Sequence, residues 1–418
     1  MGRVVTRSQR LKLLNKCSND DSNSNSNSSE RCEVISEVLL SQDLMLHILT
    51  LLPLKCLVNS ARYVCKPWAT IIQTSQFAQA CLRHSKPGLL VQCFYHTYFL
   101  GIKDYVNGQF EFEKSDMGTK SGRVIDTCNG ILVLVEYDKS LDEAVAFLFN
   151  PITKYCFRIP PLHLSQKPKK PCSLFYSQMT LVCVPHTAKF KIFFIDVLEV
   201  SGAFYYVFYV LTIGIDNSWR EIDRKKASLS WLRFWEKTLY DGGNHLYWMT
   251  QEHGITLVDV DKEIVVGKFS PPPVPIYCAV EDVRRFFPRF LWMGNQLSCI
   301  VTKRRVIHDT FQIYLLDFDS GKWFHYHDVG HLDYVAAFGH ELTIFEISFD
   351  CWIHDQIIFE IFFKEKRPQA IVRNMNFSYS VQTRKLTKIE GIKNENIFVG
   401  DHVMLHTNSL ISLPSTPT

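Results

Sequence analysis

The hydrophobic positions divide this chain in two at Pro87-Gly88. Before that point apolar residues recur at helical spacing. Leu44, Ile48 and Leu51 mark one stripe, with Leu49 and Leu52 beside it, an apolar arc wider than two self-contained helices would cover. Pro53 ends this helix and can begin the next, because a proline in the first turn forfeits no intrahelical hydrogen bond. The second helix carries Leu57, Ala61 and Val64 on one side, and Cys65 and Trp68 complete that surface. Residues 70–85 continue the helical period, with Ile71, Ile72, Phe77 and Leu82 available to pack on it.

From Leu89 the period changes to that of strands. Runs rich in Val, Ile, Phe, Tyr and Leu, such as 89–95, 130–137, 190–197, 204–213, 311–318 and 356–363, alternate with turn residues, and helical stretches are few. A unit of glycine or asparagine turn, strand, strand with a polar turn and aromatic strand recurs. One copy starts at Asn129-Gly130, a second at Gly243-Asn244 and a third at Gly294-Asn295. Gly243, Gly294 and Gly339 stand about one blade length apart, which predicts a β-propeller of about six blades, with seven possible. Such blades hide their apolar faces only by stacking on one another. The fold class is therefore α+β in two domains, a small N-terminal helical unit followed by an all-β propeller. The expected divisions are a polar leader at 1–35, the helical unit at 36–86, the propeller at 87–413 and a tail at 414–418.

Composition narrows the function. The leader's Asn- and Ser-rich tract at 19–30 buries too little apolar surface to offset the entropy of ordering. A net charge of +4 with 21% charged residues does not imply a nucleic-acid partner. Thirteen cysteines, odd in number, scattered singly and without a CxxC pair, fit neither a disulfide framework nor a zinc module, and point to a reducing cytoplasm or nucleus. No apolar run reaches the roughly 18 residues of a membrane helix, so no membrane association is expected. The start of the chain lacks the apolar core of a signal peptide. Met1-Gly2 through Thr6 fits the loose myristoylation pattern, but no second membrane signal accompanies it.

Candidate chemistry is sparse, and no cofactor or metal is expected. His325, His327 and His331 are the one arrangement resembling metal ligands, with Asp328 or Asp333 near enough in sequence to serve as a base. Histidines at an aromatic blade edge are more often surface or turn residues. Nucleophile elbows, zinc-helix motifs, Walker loops and dinucleotide fingerprints are absent. Lys167 to Lys170 and Lys303 to Arg305 read as solvated loops, and Pro271 to Pro275 as a stiff connection between blades. Trp231, Trp235 and Trp292 would suit a carbohydrate-stacking propeller if exposed, although aromatics on strands are more often core.

Two segments carry a family resemblance. On periodicity alone, residues 40–68 read equally as a helical hairpin whose apolar face is core. The joint occurrence of Leu52-Pro53-Leu54-Lys55 with Leu57, and of Val64-Cys65-Lys66 with Trp68, resembles an F-box. In that family the surface docks a Skp-type adaptor, which hangs the protein on a cullin scaffold as the substrate receptor of a ubiquitin ligase. The resemblance implies adaptor contacts from Leu40, Ile48, Leu49, Leu52, Pro53, Leu57, Val64, Cys65 and Trp68. It departs at Leu40-Ser41, where the family usually has Leu-Pro; a serine there can cap the helix instead. Downstream, Asn129-Gly130-Ile131-Leu132, Asn150-Pro151-Ile152-Thr153, Tyr247-Trp248 and the closing stretch 405–413 resemble the F-box-associated, kelch-like domain of plant F-box proteins. The double glycine of true kelch repeats appears only at Gly242-Gly243. The implied protein is non-catalytic and binds a target protein through propeller rim loops whose residues are unassigned. A metal-dependent propeller enzyme and a glycan-binding propeller are the alternatives.

Overall fold

The structure, a computed structural model, describes residues 42–92, 97–106, 109–117, 122–138, 143–161, 179–227, 237–250, 254–273, 288–304, 309–330, 342–365, 372–389 and 402–413. Among the described residues four short helices come first: α1 (Gln42–Thr50), α2 (Leu54–Asn59), α3 (Lys66–Ile72) and α4 (Ser75–His84), with a 3-10 turn at Ala61–Tyr63 between α2 and α3. The remaining described elements are strands arranged as six four-stranded antiparallel sheets, the blades of a propeller.

Blade 1 contains β1 (Gly88–Gln92), β2 (Thr97–Val106) and β3 (Gln109–Asp116). Blade 2 is β4 (Arg123–Cys128), β5 (Ile131–Asp138), β6 (Glu143–Phe149) and β7 (Cys156–Arg158). Blade 3 is β8 (Thr180–Cys183), β9 (Phe190–Val200), β10 (Ala203–Thr212) and β11 (Arg220–Ala227). Blade 4 is β12 (Lys237–Tyr240), β13 (His245–Thr250), β14 (Gly254–Asp259) and β15 (Ile264–Phe269). Blade 5 is β16 (Arg289–Met293), β17 (Gln296–Arg304), β18 (Asp309–Asp317) and β19 (Lys322–Val329). Blade 6 is β20 (Leu342–Ile353), β21 (Gln356–Glu365), β22 (Val372–Ser380) and β23 (Leu386–Lys388). The last strand, β24 (His402–His406), closes the ring by becoming the innermost strand of blade 1, pairing Gly88 with His406 and Gln92 with His402. Inner strands then abut around the axis, β20 on β24, β24 on β4, β4 on β8 and β8 on β12.

Strand alternation explains how the blades stack. On β21, Ile357, Phe359, Ile361 and Phe363 enter the core shared with Leu291, Ile300, Phe311 and Ile313 of blade 5. Ile358, on the opposite face, packs with Leu89, Val91, Tyr98 and Leu100 of blade 1. Both faces are buried, so the sequence of β21 is nearly continuously apolar rather than alternating. Blades 3 and 4 are also pinned by charge. The buried Lys191 ammonium donates to the carbonyls of Val260 (2.8 Å) and Asp261 (3.1 Å) and pairs with Glu263 at 2.8 Å. Arg220 bridges Glu263 (2.9 Å) and Asp216 (3.1 Å).

The regular glycine spacing does not mark the first hairpin turn of every blade. Gly294 sits in that turn in blade 5 with φ of 58°, but in blade 6 the same left-handed position is filled by His354, φ 54°. Blade 3 uses Ala188, φ 52°. Left-handed geometry is required by the turn, and a few non-glycine residues tolerate it at modest cost. Gly339 lies outside the described residues.

The chain's last segment does more than end the propeller. Residues 407–413 run across blade 2, where Asn150 Nδ2 donates to the carbonyls of Ser409 (3.1 Å) and Ile411 (2.8 Å). The same side chain's Oδ1 accepts from the amides of Ile152 (2.8 Å) and Thr153 (3.2 Å). Ser409 Oγ donates to the carbonyl of Asn129 at 2.6 Å. Gly130, φ 83°, lies so close that a Cβ there would be 2.2 Å from Ser409 Oγ. The Asn-Gly and Asn-Pro-x-Thr motifs are thus turns that also seat the chain's own C-terminal segment. From that seat Leu410 inserts into the core of the helical unit.

Candidate functional site: the apolar face of the helical unit

The helices are too short to be stable alone, so tertiary packing must hold them. Pro53, with φ of −57°, caps α2, and its carbonyl accepts from Cys56 at 2.8 Å and Leu57 at 3.0 Å. The break there bends the chain by 118° between the first helix and the 54–63 segment. Cys65, in extended conformation, precedes α3, with Pro67 in that helix's first turn. Thr74 Oγ1 caps α4 by accepting from the Phe77 amide at 3.2 Å. Leu49, Leu57, Ala61, Ile71, Phe77, Ala78 and Cys81 form the core, joined by Leu410 from the C-terminal segment, with Ile152 and Ile411 packed against it. No single helix among the described residues is long and apolar enough to cross a membrane.

What the core leaves outside is unusual. Ile48 is 41% exposed, Leu51 70%, Tyr63 70% and Val64 63%, and Pro53 and Cys65 are exposed beside them. These residues come from the end of α1, the Pro53 corner and the 3-10 turn, the same short stretch of chain. Arg62 stacks its guanidinium 4.9 Å from the Tyr63 ring centroid and adds a cation beside that ring.

The resemblance-derived contact residues divide accordingly. Ile48, Pro53, Val64 and Cys65 lie on the surface. Leu49 and Leu57 are fully buried, so they shape the face from behind rather than form it. Leu52 and Trp68 are half-buried against the core, and Leu40 lies outside the described residues. Leu51 and Tyr63 were not among those residues. Leu51 follows Ile48 by three positions, a helical neighbour on the same stripe, and that spacing is the signal that would have found it.

The histidines of blade 5 do not converge on one point. His325 Nε2 is 3.0 Å from Asp328 Oδ1, whereas His327 Nε2 shares a hydrogen bond of 3.2 Å with the Tyr379 hydroxyl on blade 6. Burial, aided by the Arg384 charge, holds His327 below the usual imidazole range. His331 and Asp333 lie outside the described residues, and among the described ones no three His, Cys, Asp or Glu side chains gather as metal ligands. Trp231 and Trp235 are likewise outside, while Trp292 is partly buried in a ring cluster with Tyr247 and Phe318.

A sequence model of the family described as KIB1-4 beta-propeller matches residues 100–345, more than half of the chain. The chain belongs to the KIB1-4 beta-propeller family. The match begins in β2 of blade 1 and ends in β20 of blade 6, so it lies within the ring and leaves out the helical unit and the closing strand. No curated protein matches the sequence. Among solved structures, the propeller domain of the Trilobed protease from Pyrococcus furiosus is 13% identical over 65% of this chain and 71% of its own, with a TM-score of 0.35. The Pseudomonas aeruginosa periplasmic gluconolactonase is 11% identical over 78% of this chain and 99% of its own, with a TM-score of 0.38. An oligogalacturonate lyase solved with manganese is 9% identical over 75% and 81%, also with a TM-score of 0.38. Likeness at that level bears on neither activity nor ligand.

Proposed function

We propose that this KIB1-4-type propeller is the substrate-recognition subunit of a Skp–cullin–F-box ubiquitin ligase. The helical unit docks the Skp-type adaptor, and the propeller binds the target protein. The observation that carries the reading is the exposure of four large apolar side chains, Ile48, Leu51, Tyr63 and Val64, within residues 48–64, while the neighbouring apolar residues fill a core shared with the C-terminal segment. A surface of this kind marks a protein-protein contact. Burying these four side chains would contribute roughly 5 kcal/mol, since a fully exposed large apolar side chain contributes about 1.5–3 kcal/mol when covered. The chain itself performs no chemistry in this reading. It raises the local concentration of a target lysine near the ubiquitin-charged partner.

The C-terminal segment gives the receptor a defined shape. Because Ile411 packs against both the propeller core and the helical core, and its neighbour Leu410 enters the latter, the helical unit is held on the propeller rather than tethered by a loose linker. The test is affinity capture of the full chain and of its Leu51→Asp/Val64→Asp variant. Adaptor and cullin should be recovered with the wild type and lost with the variant, while target recovery is unchanged. Equal adaptor recovery by both forms would refute the docking assignment.

A further inference from the structure

A cleft of about 520 Å³ opens between blades 5 and 6, on the propeller face that also carries the helical unit. That shared face follows from topology. The cleft is bounded by the first hairpin turns of blades 5 and 6 and the last turn of blade 6, and the helical unit sits over the equivalent turns of blade 2. Met293 and Val381 supply apolar walls, Trp352 a nearly buried floor, and Tyr326, His354, Asp355 and Gln382 the polar groups.

Three features show that these groups are placed rather than incidental. First, the β18–β19 register steps from Tyr314↔His325 to Ile313↔His327, leaving Tyr326 as the extra residue of a β-bulge. Such a bulge re-aims a side chain, and the Tyr326 ring stands 41% exposed at the cleft. Second, Trp352 is locked by its indole N–H, which donates to the carbonyl of His354 at 2.9 Å, with His354 in the left-handed conformation at the hairpin tip. Third, the two turns of blade 6 are tied together through Asp355. Its Oδ2 accepts from Ser380 Oγ at 2.6 Å, its carbonyl accepts from the Val381 amide at 3.0 Å, and Ser380 Oγ accepts from Thr383 at 3.0 Å. The carboxylate is therefore fixed before any ligand arrives, which lowers the ordering cost of binding.

Two aromatic rings, an aliphatic wall and one fixed carboxylate suit a cation carried on an apolar stem. The stem packs on Met293 and Val381, and the cation meets ring faces and carboxylate together. An anionic side chain would be repelled by Asp355, and a purely apolar anchor would make no use of the carboxylate. Arg384 lies in the same turn as Val381 but bears on His327 and Tyr379. With a chain net charge of +4, recognition of a cation here is set by local contacts, not by long-range attraction.

We propose that this cleft binds a basic segment of the target protein, an arginine or lysine side chain entering between Tyr326 and Asp355; that the ligand is the ubiquitination target rests on the receptor reading above. The test uses the full chain labelled at its methionine methyls, with the Met293 signal assigned through Met293→Leu. It is titrated with acetyl-arginine amide and, in parallel, with the uncharged citrulline equivalent. The expected result is a saturable shift of Met293 with arginine and none with citrulline, and affinity weakened roughly tenfold or more in both Tyr326→Ala and Asp355→Asn. Asparagine retains an acceptor for Ser380, and Tyr326 is exposed, so both variants should fold. An unmoved Met293 signal, an equal response to citrulline, or wild-type affinity in both variants overturns the proposal. Adaptor capture from the same preparations keeps the two readings apart. Intact capture without cleft binding rejects the cleft alone, and cleft binding without capture rejects the receptor alone.

Discussion

His406 makes the ring closure sensitive to acid. It ends β24, is 2% exposed, shares a 2.7 Å hydrogen bond between Nδ1 and Thr127 Oγ1 of blade 2, and meets the Phe99 ring edge-on at 5.8 Å. Burial pushes its pKa from 6.5 down to about 4, with Asn408 partly opposing the shift. Below pH 6.5 the unfolded chain takes up a proton that the folded chain refuses. The stability this group contributes is complete above about pH 7, declines as pH falls from 6.5 towards 4, and changes no further below that. The full span, from 6.5 to about 4 at about 1.4 kcal/mol per pH unit, is about 3.5 kcal/mol, of which about 2 kcal/mol is lost between pH 7 and pH 5. Urea unfolding followed by tryptophan fluorescence at the two pH values, on wild type and His406→Asn, isolates the term. Asparagine can keep a bond to Thr127 but does not titrate, and other titrating groups cancel in the double difference. The wild type should lose about 2 kcal/mol more than the variant. An equal loss in both would show that His406 protonates freely in the folded state, and the closure argument would fall.

Glu263→Gln should destabilise the chain by about 3 kcal/mol, because it strands the buried Lys191 ammonium, and the urea midpoint reads the loss directly. Burial pushes Glu263 upward, but hydrogen bonds from Arg220 and Lys191 outweigh it and leave the carboxyl below its ordinary value. Its contribution is therefore present above about pH 4.3 and lost as pH falls through the lower folded value, so the variant's deficit should shrink in strong acid. Asn150→Ala removes both donors to the C-terminal segment and should cost about 3 kcal/mol, with new protease cleavage within 407–413; an unchanged digestion pattern would argue against the seat. Gly130→Ala, at a left-handed position with Ser409 against it, should produce the same cleavage. Leu51→Asp and Val64→Asp should each shift stability by less than about 0.5 kcal/mol, as expected of exposed side chains.

The propeller was legible because most of its strands are buried on at least one face, and that burial writes Val, Ile and Phe into the sequence. Outermost strands were less so. The β11 strand (Arg220–Ala227) is almost wholly polar and is a strand because β10 offers a ladder to pair with. The β3 strand (Gln109–Asp116) owes its form to β2 in the same way. Closure by β24 had no local signal, since the pairing of Gly88 with His406 joins residues from opposite ends of the propeller. The helical unit was legible as helices, but the orientation of its leucines was not. Which of Leu49, Leu51, Leu52 and Leu57 turn inward is decided by a core that Leu410 and Ile152 help to fill, residues far away in sequence. For the same reason, residues 1–86 expressed alone would lack part of that core, and the full chain is the proper material for binding studies.

Backbone amide exchange of the full chain, with and without a purified Skp-type adaptor, tests the central claim most directly. The account predicts slowed exchange confined to residues 48–65, where Ile48, Leu51, Tyr63 and Val64 are exposed in the free protein, and none at the hairpin turns of blades 3 to 6. Unchanged exchange across 48–65 at saturating adaptor, or protection confined to the propeller, would contradict it.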